Sequence, residues 1–150
     1  MGAQESIFAP APLPPVRKAA KLRTYIVEDS PLIRDSLIET LTELVPLDVV
    51  GFAEDETTAV QWLRERGNDC QLAIVDIFLK QGSGLGLLRA MRKSAHAPKF
   101  VVLSNFATPQ VRTWCRAIGA DRVFDKSSDI DALIRYCAQL AKSGAEPGAH

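Results

Sequence analysis

From Leu22 onward, short apolar runs alternate with stretches whose apolar residues recur every three or four positions. The runs Leu22 to Val27, Val49-Val50-Phe52, Leu72 to Val75, Phe100 to Leu103 and Arg122 to Phe124 predict strands. Between them, Ile33, Leu37, Leu41 and Leu44 mark one apolar face of a helix, and Val60, Trp62 and Leu63 another. Leu85 to Lys93 reads as a third helix. Val111, Trp114, Cys115 and Ile118 outline a fourth, and Ile130, Leu133, Ile134, Cys137 and Leu140 a last one. The same periodicity assigns Trp62 and Trp114 to packing.

Local chemistry punctuates these elements consistently. Asp29 or Ser30 can cap the first helix, with Pro31 suited to its first turn and Pro46 ending it. Asp55-Glu56-Thr57 opens the second helix, which ends near Gly67 with Arg64 and Arg66 in its last turn. Thr108-Pro109 and Ser127-Ser128-Asp129 start the last two, and Gly51 suggests an edge or a bulge in the second strand. Strands and helices alternating through short links imply a parallel sheet with helices on both faces. Periodicity leaves the strand order open. Residues 1–20, with Pro10, Pro12, Pro14 and Pro15 among alanines, are expected to be a disordered extension. Residues 143–150 are expected to be a flexible tail.

Composition narrows the class without naming a task. The 150 residues are 47% hydrophobic and 24% charged, with 18 basic and 18 acidic residues. That balance gives no global field favouring nucleic acid or an anionic membrane. Cys70, Cys115 and Cys137 are odd in number and far apart, which disfavours disulfide and metal-thiolate frameworks and suits a reducing compartment. No apolar run approaches the roughly 18 residues of a membrane span. A cytoplasmic location is the expectation.

Four strands end on polar groups: Glu28 and Asp29 after the first, Asp76 after the third, Ser104 after the fourth and Lys126 after the fifth. Singly, each has an ordinary explanation as a cap, a turn residue or a solvated charge. In a parallel sheet, however, all strand C-termini share one edge, where open α/β sheets bind their ligands. Three carboxylates gathered there repel by several kcal/mol at an effective dielectric near 20. They call for a cation, and hard oxygen ligands suit Mg²⁺.

This set resembles the receiver domain of bacterial two-component response regulators. The match rests on Glu28-Asp29, Asp76, Gly84 eight residues beyond it, Ser104 and Phe124-Asp125-Lys126, and covers about residues 21–142. The resemblance implies a flavodoxin-like, doubly wound five-stranded parallel sheet in the order 2-1-3-4-5. It implies that Asp76 takes a phosphoryl group from a sensor histidine kinase or a histidine phosphotransfer protein. Glu28, Asp29, Asp76 and the main-chain carbonyl of Phe78 would then hold Mg²⁺, and Lys126 and Ser104 would contact the phosphoryl group. Phe124 would be an aromatic that turns inward and alters the face of the fourth helix and fifth strand. Signalling would run through protein contact or phosphorelay, with no direct DNA binding, no membrane contact and no metabolic reaction.

Some residues depart from the family pattern. Lys80 stands where a proline is common, which suggests a looser loop, and Asn105 stands where a small residue is usual. Phe78 and Phe106 cannot orient a hydrolytic water, so slow loss of the phosphoryl group is expected. A stand-alone member is the first expectation, with the exposed face around Arg112, Trp114, Arg116, Arg122 and Phe124 as its candidate surface for partner docking. The alternatives are a degenerate receiver acting without phosphorylation, or the receiver fragment of a longer transcription regulator. A haloacid-dehalogenase-type phosphatase would want a second Asp where Phe78 stands. A flavin carrier would not place Glu28-Asp29 in its phosphate loop.

Overall fold

A computed structural model describes residues 21–95 and 97–145. Its strands are β1 (Leu22–Val27), β2 (Leu47–Ala53), β3 (Leu72–Asp76), β4 (Lys99–Ser104) and β5 (Arg122–Asp125). The helices between and after them are α1 (Pro31–Leu44), α2 (Glu56–Arg66), α3 (Gly84–Met91), α4 (Pro109–Ala117) and α5 (Ile130–Ala145). All neighbouring strands pair in parallel, in the order β2-β1-β3-β4-β5. The flavodoxin-like expectation holds. The edge position of β2 and a register shift opposite Thr24/Tyr25 account for Gly51.

The pleat divides the core in two. Tyr25, Val27, Ala73, Val75, Val102 and Val123 point to one face, covered by Ala59 and Leu63 of α2, Leu87 and Leu88 of α3 and Cys115 of α4. Ile26, Leu72, Ile74, Val101, Leu103 and Phe124 point to the other, under Leu37 and Leu41 of α1 and Leu133 and Cys137 of α5. A residue of period two on the strands meets a stripe of period 3.6 on each helix, so both faces stay dry. All three cysteines are buried and free, acting as small apolar fillers.

Caps form as the sequence dictates: Ser30, Asp55, Ser83 and Thr108 accept hydrogen bonds from Ile33, Thr58, Gly86 and Val111 N–H groups. Several expectations need adjusting. Ile33 and Leu44 of α1 are exposed rather than part of its packed face, because only Leu37 and Leu41 point squarely at the sheet. Trp62 does pack, stacked on Tyr25 at 4.1 Å between ring centroids. Trp114 does not; it is 53% exposed on the outer side of α4. The last helix continues through Ala145, past the expected end of the domain at Lys142. The expected extension at residues 1–20 and the end of the tail at 146–150 lie outside the described residues.

Candidate functional site

Because β1, β3, β4 and β5 run the same way, their last residues meet at one rim. Lys126, the residue after β5, reaches across it. Its Nζ donates to Glu28 Oε1 at 2.7 Å and to Asp76 Oδ2 at 2.9 Å. The backbone places it there, since Lys126 N–H donates to the Ser104 carbonyl at 2.9 Å. Glu28 and Asp76 are both buried, an environment that ion pairing and hydrogen bonds must offset. Glu28 also accepts from Ser30 N–H at 3.1 Å, and Asp76 Oδ1 from Phe78 N–H at 3.3 Å.

Electrostatics follow from that burial. Desolvation pushes the Glu28 carboxyl above its ordinary pKa, against the opposing pull of Lys126 and the Ser30 N–H. Burial also disfavours the Lys126 ammonium, yet its hydrogen bonds to Glu28 and Asp76 outweigh that, and its pKa is raised. The lysine therefore stays charged.

Glu28, Asp29 and Asp76 offer carboxylate oxygens that all lie within 4.8 Å of one another. One ammonium leaves the trio two charges negative. Among the described residues, the half-buried Asp29 carboxylate accepts no hydrogen bond. A hard divalent cation fits this donor set: oxygens at about 2.0–2.1 Å from Mg²⁺ stand some 3 to 4 Å apart.

Ser104 is fully buried at the end of β4, and its Oγ accepts from Phe106 N–H at 3.0 Å. Asn105 is exposed beside it. Phe78 and Phe106, both largely exposed, stand edge to face at the rim, with centroids 6.0 Å apart. Phe124 lies elsewhere than expected. It is already buried and tilted against Tyr136, on the α1/α5 side of the sheet. The β5 side chain facing α4 is Val123, so the inward turn expected of Phe124 beside α4 has no counterpart: pleating sends alternate residues to opposite faces.

The β3–α3 loop is tied down more than its glycines suggest. Gly84 N–H donates to the Ile77 carbonyl at 2.8 Å, and a Cβ on Gly84 would collide with the Asp76 carbonyl. Glu56, at the start of α2, reaches over: its Oε1 accepts from Ser83 N–H at 2.9 Å, while its own N–H donates to the Gln81 carbonyl at 3.2 Å. Gly82 sits at φ 80°, where a side chain would also strike Glu56. In the sequence Glu56 stands only as a residue at the start of α2. Its second use depends on a contact across 27 positions, and only the neighbouring Gly82-Ser83-Gly84 run hints at it.

A groove of about 360 Å³ opens beside the rim, lined by Leu32, Ile33, Leu37, Leu103, Lys126 and Ile130 among others. No described helix is long and apolar enough to cross a membrane.

Known proteins share this fold and sequence pattern. A protein-glutamate methylesterase/protein-glutamine glutaminase from Myxococcus xanthus is 36% identical over 140 residues, covering 84% of this chain and 40% of that protein. A probable transcriptional regulatory protein from Picosynechococcus is 29% identical over 129 residues, covering 83% of this chain and 51% of its own length. The chain thus spans about half or less of these relatives. Among solved structures, the receiver domain of NarL from Mycobacterium tuberculosis superposes with a TM-score of 0.72 at 21% identity, covering 81% of this chain and 97% of that one. CheY of Borrelia burgdorferi, in a complex with CheX, BeF3 and Mg, gives 0.72 at 18% identity, over 79% of this chain and 88% of that one. Residues 24–138 match the family model described as the response regulator receiver domain, so the chain belongs to that family of two-component signalling proteins.

Proposed function

We propose that this receiver is a phosphorylatable switch whose acceptor is Asp76. The observation that carries the reading is the Lys126 ammonium held between Glu28 and Asp76. An Asp76 carboxylate oxygen attacks phosphorus as the phosphorus–nitrogen bond to a histidine of a sensor kinase or phosphotransfer protein breaks. The imidazole leaves with the bonding electron pair and the aspartyl phosphate remains. Glu28, Asp29, Asp76 and the Phe78 main-chain carbonyl would hold Mg²⁺, which when bound supplies positive charge to phosphoryl oxygens. Lys126 would trade a carboxylate partner for a phosphoryl oxygen, and the Ser104 hydroxyl would donate to another. The exposed Leu32 and Ile33, whose groove reaches Lys126, suit the approach of a helix carrying the histidine.

The chain acts, in this reading, as a signalling domain in the cytoplasm and not as a metabolic enzyme. It passes its signal by protein contact or phosphorelay. Exposed Asn105 beside Ser104 favours a second reading, a degenerate receiver that works unphosphorylated. A receiver fragment of a longer regulator is a third, since the matched relatives are longer than this chain. Incubation with acetyl phosphate and Mg²⁺, followed by mass spectrometry, separates the first two. One phosphoryl increment is expected on wild type and none on Asp76→Asn. An increment that survives the substitution, or never forms, overturns the proposal.

A further inference from the structure

The acids of this balanced chain are not spread evenly. From Gly84 to Ala120 there is no Asp or Glu, while Arg89, Arg92, Lys93, Lys99, Arg112 and Arg116 fall within the same span. The first turns of α3 and α4 carry no acid, although the helix dipole favours one there. The fold turns this sequence asymmetry into a surface, because α3 and α4 cover the same face of the sheet. Arg112 is occupied, bonded to the Ala107 and Val123 carbonyls and to Asp129, and Lys99 lies 3.9 Å from Asp121. Arg89, Arg92, Lys93 and Arg116 are exposed and have no acidic partner among the described residues.

Between these helices lies a groove of about 310 Å³, lined by Leu85, Arg89, Trp114, Ala117 and Ile118. Its floor is apolar, Arg89 with Arg92 one turn further along the same stripe of α3 makes its rim on that side cationic, and Trp114 stands half out of it. A half-exposed Trp beside unpaired arginines is the residue combination that dominates binding energy in protein interfaces. Single-stranded nucleic acid would want several stacking aromatics along a cationic track, whereas this groove has one Trp over an aliphatic floor of Leu85, Ala117 and Ile118.

We propose that the α3–α4 groove docks an acidic amphipathic helix from a partner protein. Its apolar residues would pack on Leu85, Trp114 and Ile118, and its carboxylates would meet Arg89 and, one turn on along the same stripe of α3, Arg92. Charge complementarity sets the sign of the partner, and the apolar floor demands side chains at helical spacing. The surface lies outside the carboxylate rim, so the proposal stands whether or not Asp76 is phosphorylated.

The test is fluorescence anisotropy of a labelled peptide of about 16 residues, with leucines every three or four positions and Asp or Glu elsewhere. The controls are the same peptide with lysines replacing its acids, and a labelled DNA duplex. Tryptophan emission is read in parallel, the Trp114 part being taken as the difference from the Trp114→Ala variant, which retains Trp62. The acidic peptide should bind, bind less tightly as salt rises from about 50 to about 300 mM, and shift Trp114 emission. Arg89→Glu/Arg92→Glu should weaken it by about tenfold or more, and Trp114→Ala comparably. All three positions are exposed, although the arginines lie at the C-terminus of α3 where a carboxylate is disfavoured, so thermal melting should fall by only a few degrees. Arg89→Gln/Arg92→Gln, which adds no repulsion, should show an intermediate loss. Equal binding of acidic and basic peptides, an affinity unmoved by the arginine variants, absence of binding, or binding of DNA alone would each overturn the proposal.

Discussion

Phe78 and Phe106 meet edge to face at the mouth of the carboxylate site, their planes 85° apart. They stand two residues beyond Asp76 and Ser104, where a polar side chain could align a water with the acyl phosphate. Two phenyl rings cannot. The phosphorylated protein should therefore decay over many minutes or longer, and Phe78→Asn should hasten hydrolysis by roughly tenfold or more. The measurement is loss of the phosphoryl mass increment after removal of the phosphodonor. A wild-type half-life of seconds would reject the idea.

The rim should bind Mg²⁺ before any phosphoryl group arrives. At ten- to a hundredfold above its dissociation constant, the ion should stabilise the fold by about 1 to 3 kcal/mol relative to chelator. This reads as a rise of a few degrees in Tm per kcal/mol. Asp29→Asn should remove most of the rise while costing little stability in chelator, because Asp29 accepts no hydrogen bond among the described residues. A full Mg²⁺ response in that variant would exclude Asp29 as a ligand.

Lys126→Met keeps the volume and deletes the charge that Glu28 and Asp76 share. In chelator the variant should lose about 2 kcal/mol, below the usual figure for a fully buried pair because the site lies at a partly solvated rim. Mg²⁺ should then stabilise it more than it stabilises wild type, the ion replacing the missing cation. Urea denaturation with and without Mg²⁺ checks both halves. An equal Mg²⁺ increment in the two proteins would show that the lysine and the ion do not share these carboxylates.

Glu56 holds the loop that carries Phe78, through its contacts with Ser83 and Gln81. Glu56→Ala should weaken Mg²⁺ affinity several-fold and slow phosphorylation, although Glu56 is outside the cluster of candidate metal ligands. Titration by protein fluorescence, compared with the variant's melting temperature, distinguishes positioning from general destabilisation. Unchanged Mg²⁺ affinity with a lowered Tm would leave Glu56 a purely structural residue.

Acid should loosen the β5–α5 junction. Asp129 accepts from Asp125 N–H at 2.9 Å and from Arg112 Nη2 at 3.0 Å, and these contacts, the backbone one first, hold its carboxyl below the usual range. A pKa lowered by folding contributes stability above the unfolded value of about 4, and that contribution fades as pH falls through the folded value. The Tm gap between wild type and Asp129→Asn should thus be open at neutral pH and close in acid. A gap that persists unchanged to low pH would remove Asp129 from the account.

Sequence alone determined the alternation of strands and helices, the helix starts at Asp29 or Ser30, at Asp55 and at Thr108, and the polar residues on which the strands end, because these depend on local periodicity and on hydrogen bonds three residues long. The order β2-β1-β3-β4-β5 came only with the family resemblance, since periodicity is blind to which strands are neighbours. Only tertiary structure decided that Lys126 spans Glu28 and Asp76, 98 and 50 positions away. It also sent Phe124 to the α1/α5 face and Trp114 to solvent, and it turned Glu56 from a helix start into the clamp on a distant loop. Each of those outcomes depends on which surfaces the packed sheet brings together, and no window of local sequence contains that information.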